Sequence, residues 1–181
     1  ALHTTPESAG EKQPLVNRGR DLTIVFDGRI DNRQAITGAD AAVSDAEVVL
    51  RAYARWGKGC PGHLLGDFAF AIWDIPKKRL FLARDRLGIK PLYFYDDGKR
   101  FLFASEVKAL LAHSDVDARV SDEGLAAYLT HEYLPGELSM VQGVAKLLPG
   151  SWAQFSGGSI ETRRYWDIPF RGTPAPPDAV E

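Results

Sequence analysis

Cysteine is almost absent from this sequence of 181 residues, where Cys60 stands alone. A single thiol cannot close an intrachain disulfide, so the chain suits a reducing compartment and a cytoplasmic location is expected. Long apolar runs are lacking as well. No stretch approaches the roughly 20 residues that a bilayer-spanning helix needs, and Ala1 to Gly10 has no signal-peptide layout, so neither membrane insertion nor secretion is expected. Charge of one sign is missing too: 22 Lys and Arg stand against 24 Asp and Glu, a formal net charge of -2, too weak a field to draw in nucleic acid or an anionic membrane. Histidine is sparse, and His3, His63, His113 and His131 form no metal-type spacing with cysteine or carboxylates, so no metal is expected.

What remains, 45% hydrophobic and 25% charged residues, is the make-up of one globular domain. Ala1 to Arg20 carries no apolar period and reads as an extended or looped approach. Leu22 to Arg29 is rich in β-branched and aromatic residues and predicts a strand that stops in a turn at Asp27-Gly28. Ser44 and Glu47 have capping-box spacing, and Val49, Leu50, Tyr53 and Trp56 follow at helical intervals, which predicts a helix over 45–56. Phe68 to Trp73, Arg79 to Ala83, Leu92 to Tyr95 and Phe101 to Ala104 read as consecutive antiparallel strands. Helical spacing returns over 106–111 and over 122–130, the second capped by Ser121. A hairpin with Ser156-Gly157-Gly158-Ser159 at its turn closes the domain. Strands first clustered and then mixed with helices, without βαβ alternation, predict an α+β fold with antiparallel sheets. The expected domain spans residues 1–167, and the Pro-rich 168–181 reads as a linker towards a further domain.

Six blocks narrow the reading: Q-P-L at 13–15, D-G-R-I-D-N at 27–32, S-D-A-E at 44–47, G-D-F-A-F-A-I-W-D at 66–74, A-R-D-R-L-G-I-K-P-L-Y at 83–93 and F-A-S-E-V-K-A-L at 103–110. In that order the chain resembles the N-terminal glutaminase domain of the glutamine-hydrolysing asparagine synthetases and their relatives, the β-lactam synthetases and lasso-peptide cyclases. The resemblance implies an Ntn-hydrolase-like αββα sandwich, two antiparallel sheets between helical layers, with its first strands lying ahead of this sequence. It also implies glutamine as ligand, a C-terminal synthetase domain in the same protein, and ATP and magnesium used by that domain, with no cofactor in this one. Self-association as a homodimer is left open.

The family's nucleophile is an N-terminal cysteine whose own amine acts as base. Residue one here is Ala1, and Cys60 lies in a G-K-G-C-P-G loop far from a terminus, so Cys60 reads as structural and no catalytic residue is assigned. The family's carboxylate-binding arginine falls at Ala1 and Leu2. Its oxyanion-hole Asn-Gly falls at Asp27 and Gly28, where a carboxylate would repel a developing oxyanion while the Gly28 N–H could still donate. The bland reading of that pair is a turn. Asp45 falls on the aspartate that receives the glutamine α-ammonium, although an acid in a first helical turn also complements the helix dipole. Arg84 and Asp85 read as a pair at a strand end, and Phe68, Phe70 and Trp73 as core. Ser156 to Ser159 resembles the synthetase pyrophosphate loop, but Ile160 replaces its aspartate and a hairpin is expected.

Two functions follow from the resemblance. One is the ammonia-releasing domain of an asparagine synthetase-like protein. The other is a scaffold that has lost hydrolysis, beside an amide-forming domain of the β-lactam synthetase or lasso-peptide cyclase kind, an alternative suggested by Asp27, Arg29 and Asp31.

Overall fold

In the strand Leu22–Ile30 (β2) the residues alternate between two buried surfaces, and that alternation organises the molecule. The computed structural model describes residues 11–38 and 43–169. Around β2 are β1 (Leu15–Val16), β3 (Gly66–Asp74), β4 (Arg79–Arg84), β8 (Ser151–Ser156) and β9 (Ser159–Arg164). They form one six-stranded sheet in the order β1-β2-β3-β4-β8-β9, antiparallel at every pair. A second sheet joins β5 (Tyr93–Asp96) to β6 (Phe101–Ala104) on one side and β7 (Val144–Lys146) on the other.

Three apolar layers hold these parts together. Leu22, Ile24, Phe26 and Ile30 point to one side of the large sheet and meet Ala46, Val49, Leu50 and Tyr53 of the helix Asp45–Trp56 (α2, after the short α1 at Arg33–Thr37). Ala69, Ala71, Leu82 and Ala153 point to the other side, where they meet Leu92, Phe94 and Phe103 at the second sheet. Tyr93, Tyr95 and Leu102 turn outward from the second sheet onto Val107 and Leu110 of a helix over Val107–Leu111 (α4, after α3 at Cys60–His63). The result is helix, sheet, sheet, helix. Phe68, Phe70 and Phe81 are 2% exposed or less, and each such side chain contributes about 2 to 3 kcal/mol by leaving water.

The helix over 45–56 forms where its pattern places it, with Ser44 Oγ accepting from the Glu47 N–H at 3.4 Å. The Glu47 carboxylate turns to Arg51 at 3.1 Å. The closing hairpin also forms, and Gly157 and Gly158 both hold positive φ, which a two-residue hairpin turn requires. The helix Asp122–His131 (α5) is capped by Ser121, whose Oγ accepts from the Gly124 N–H at 3.0 Å.

Two expectations are corrected. Asp27-Gly28 is not a turn: β2 runs through it to Ile30, with Asp27 opposite Ala69 and Gly28 opposite Phe68. Pairing with β3 along its whole length supplies hydrogen bonds that a local reading of Asp-Gly cannot foresee. Trp73 is 42% exposed: it shares the phase of Ala69 and Ala71 but stands near the end of β3, outside the apolar clusters on either face of the sheet, where the pattern suggested core. Within the approach segment, read as extended or looped, Leu15–Val16 is extended and pairs with Ile24 and Thr23. The positions Ala1 and Leu2, and residues 170–181 of the expected linker, lie outside the described residues.

Candidate functional site

The alternation of β2 sends neighbouring residues to opposite faces. Asp27 shares the phase of Val25 and opens between the two sheets, whereas Gly28 shares the phase of Phe26 and Ile30, towards α2. Between the sheets lies a cavity of about 150 Å³. Its walls are Gln13, Val25 to Asp27, Ala69 to Ala71, Leu92, and Phe103 to Ser105. Five of the six sequence blocks thus meet at one place, through residues 13, 27, 69–71, 92 and 103–105. Most of the lining is hydrocarbon, with Gln13, Asp27 and Ser105 as its polar side chains. Such a wall can hold a small ligand by a few fixed polar contacts. A larger groove of about 710 Å³ runs beside the start of α5 and contains none of the candidate site residues.

Two devices shape the cavity. Gln13 extends β1 by using its side-chain amide as a piece of backbone: Oε1 accepts from the Phe26 N–H at 2.7 Å and Nε2 donates to the Phe26 carbonyl at 2.9 Å. Gln13→Ala leaves both Phe26 groups without this partner, and it should lower unfolding free energy by about 2 kcal/mol in urea denaturation. A change below about 0.5 kcal/mol would show that the amide is dispensable.

The second device is the loop after β4. The Asp85 carboxylate, 1% exposed, accepts from the N–H groups of Leu87 at 3.1 Å, Ile89 at 2.9 Å and Lys90 at 2.9 Å. The Arg84 guanidinium donates to the carbonyls of Gly88 at 2.6 Å, Lys90 at 2.7 Å and Leu147 at 2.7 Å. Burial pushes its pKa below the usual arginine value. Arg84 and Asp85 therefore do not pair with each other as expected from the sequence. Each binds the backbone of the same loop, because adjacent residues on an extended chain point apart. The loop so held presents Lys90, whose Nζ lies 3.2 Å from Asp27 Oδ1.

That contact alters the electrostatics read from the sequence. Asp27 is a half-exposed carboxylate with an ammonium beside it, and the negative charge facing the cavity is compensated. Lys90 escaped the sequence reading although it sits in a quoted block. Its partner is 63 residues away, and only the packing of two sheets brings the two together.

Gly28 and Asp45 do not line this cavity. Gly28 sits where β2 and β3 come close: a Cβ at Gly28 would lie 2.1 Å from the Asp67 carbonyl oxygen. Asp45, 1% exposed at the start of α2, accepts from Arg33 Nη1 at 2.7 Å, and Arg33 also donates to the Val43 carbonyl. Arg33 was not a candidate from sequence, since α1 is a short helix that no periodicity announces. Cys60 is fully buried on the α2 side of the large sheet, across that sheet from the cavity, and burial pushes its thiol up. Among the described residues no group of three metal-ligating side chains is present, and no helix is long and apolar enough to cross a membrane.

Comparison with known proteins adds three findings. A family model described as a glutamine amidotransferase domain matches residues 4–166. Asparagine synthetase [glutamine-hydrolyzing] 3 of Bacillus subtilis is 37% identical over 170 residues, covering 88% of this chain and 28% of that protein. Asparagine synthetase [glutamine-hydrolyzing] 1 of the same organism is 32% identical over 169 residues, covering 88% of this chain and 26% of that protein. The chain thus spans about a quarter of the length of these relatives. Among solved structures, the glutamine phosphoribosylpyrophosphate amidotransferase from B. subtilis superimposes with a TM-score of 0.55 at 19% identity, over 85% of this chain and 32% of that one. At that identity the likeness bears on the fold, and it agrees with the two-sheet sandwich.

Proposed function

Because the chain belongs to the glutamine amidotransferase domain family, as found in asparagine synthetase-like proteins, we propose that its parent protein takes ammonia from glutamine here and spends it on ATP-dependent amidation of aspartate. The observation that carries this reading is the convergence of five separate blocks on one inter-sheet cavity. Blocks that served only folding would have no reason to share a cavity wall. In this reading Asp27 lies beside the glutamine held in the cavity, whereas Gly28 and Asp45, which do not line it, are held by the close approach of β3 and by Arg33. ATP and magnesium belong to the remainder of the polypeptide.

Hydrolysis needs a nucleophile, and Cys60 is unsuited to it. A thiol whose ionisation is suppressed by burial, on the far side of the sheet, neither forms thiolate nor meets the cavity. The test is glutamine hydrolysis by the full-length protein with and without Cys60→Ala. Ammonia release within about twofold of the unmodified protein is expected for the variant. A loss of a hundredfold with unchanged melting would move the nucleophile to Cys60. No release from the unmodified protein would reject the function.

A further inference from the structure

Asp27 is the one charged side chain on the wall of the inter-sheet cavity, where the other polar side chains are Gln13 and Ser105. The Gln13 amide is already engaged: Nε2 donates to the Phe26 carbonyl at 2.9 Å and to Glu11 Oε1 at 3.0 Å, while Oε1 accepts from the Phe26 N–H. Asp27 keeps spare capacity. Lys90 Nζ stands 3.2 Å from its Oδ1, and Oδ2 has no hydrogen-bond partner among the described residues. Small side chains make the room in front of it. Ala69 lies directly opposite Asp27 and Ala71 opposite Val25, and both are on the cavity wall.

A carboxylate only accepts hydrogen bonds and an ammonium only donates them. Side by side, the two match a ligand group that does both. A primary carboxamide is such a group: its NH2 donates to Asp27 while its carbonyl oxygen accepts from Lys90. A ligand carboxylate of the same shape offers Asp27 a second acceptor and a like charge, and walls made mostly of hydrocarbon screen that repulsion poorly. An amino-acid head group could also face the pair, ammonium to Asp27 and carboxylate to Lys90. It would carry two full charges out of water, whereas the carboxamide carries none. Both partners are in place before a ligand arrives. Pairing of β2 with β3 holds Asp27, and the contacts of Arg84 and Asp85 hold the loop of Lys90.

We propose that Asp27 and Lys90 are the specificity-determining pair of this cavity, accepting a primary carboxamide and rejecting the corresponding carboxylate. This rests on the proposed function for taking the carboxamide to be that of glutamine, but not for the selection itself. Hydrolysis turns that carboxamide into a carboxylate with release of ammonia, so the product meets Asp27 as a like charge and is disfavoured where the substrate was held.

The experiment titrates the full-length protein with three probes, followed by ligand-observed NMR. Butyramide is glutamine without its α-ammonium and α-carboxylate, butyrate is the matching carboxylate, and norvaline keeps the α-groups but lacks the carboxamide. Butyramide should bind about tenfold or more tightly than butyrate. Asp27→Asn, whose amide donates as well as accepts, should bring the two probes within about threefold of each other. Lys90→Met, which keeps an apolar stem and removes the donor, should weaken butyramide about tenfold. Both side chains are partly exposed, so both variants should fold. A preference that survives Asp27→Asn overturns the proposal, as does butyramide binding that is absent or unmoved by Lys90→Met. Norvaline binding that is lost in Asp27→Asn also overturns it, by assigning the pair to an amino-acid head group. If the unmodified protein releases no ammonia from glutamine yet prefers butyramide through this pair, the functional reading fails and the selection stands.

Discussion

Gly28→Ala should be among the most damaging single substitutions in this domain, costing about 4 kcal/mol or more and leaving little soluble protein. Two causes act together. The backbone at Gly28 holds φ near +145°, a conformation that L side chains rarely adopt, and an added Cβ would stand 2.1 Å from the Asp67 carbonyl oxygen. That oxygen belongs to the neighbouring strand, so relief means parting β2 from β3 in the interior of the large sheet. Gly66 repeats the arrangement in mirror fashion, with φ +138° and the Arg29 carbonyl oxygen at 2.1 Å, and Gly66→Ala should be comparably severe. Gly98 is the control. It too has positive φ, but nothing lies within 4 Å of its Cβ position, so Gly98→Ala should cost only about 1 kcal/mol. Urea denaturation of the three variants separates strand approach from backbone preference. Equal losses at Gly28 and Gly98 would refute the role given to the close contact.

Asp45→Ala comes next. The Asp45 side chain is 2% exposed and that of Arg33 is 16% exposed, so the pair is largely out of water and neither charge is well screened. Removing the carboxylate leaves a guanidinium that still donates to the Val43 carbonyl but has lost a charged partner. The expected cost is about 3 kcal/mol. In a domain of this size that lowers the melting temperature by about 10 °C. Replacing both residues, as Arg33→Met with Asp45→Leu, should recover much of the loss, since apolar pairs of similar volume often substitute for buried ion pairs at little cost. A melting temperature for Asp45→Ala within about 1 °C of the unmodified protein would dismiss the pair as a stabilising contact. Asp45→Asn adds a functional readout. It preserves shape and an acceptor for Arg33, so a rise in KM for glutamine in the full-length protein, with melting little changed, would speak for ammonium binding at this position.

Gly28, Asp27 and Asp45 were all singled out from the sequence for glutamine, and all three have structural partners of their own. A residue at an inherited binding position is held in place before it can bind anything. For Asp45 that holding group is Arg33, and for Asp27 it is Lys90. Neither partner was legible in advance. An ion pair across 63 residues leaves no periodicity, and an arginine on a five-residue helix leaves too short a pattern to read. Arg84 and Asp85 show the same limit from the other side. Adjacent opposite charges suggest a pair, yet the two side chains diverge, Asp85 accepting from N–H groups of the loop after β4 and Arg84 donating to carbonyls of that loop and of Leu147.

The sequence by itself determined the family, the α+β class, the helix over 45–56 with its Ser44 cap and the closing hairpin with its two glycines. Apolar period, capping spacing and turn residues are local properties, written within a few positions of one another. Tertiary structure alone decided that Asp27-Gly28 lies inside a strand, that Asp27 faces a cavity between two sheets while Gly28 faces α2, and which cations accompany Asp27 and Asp45. Those outcomes depend on which strand lies beside which, and long-range pairing is settled by burying two faces of one sheet at once, a condition that no short stretch of sequence expresses.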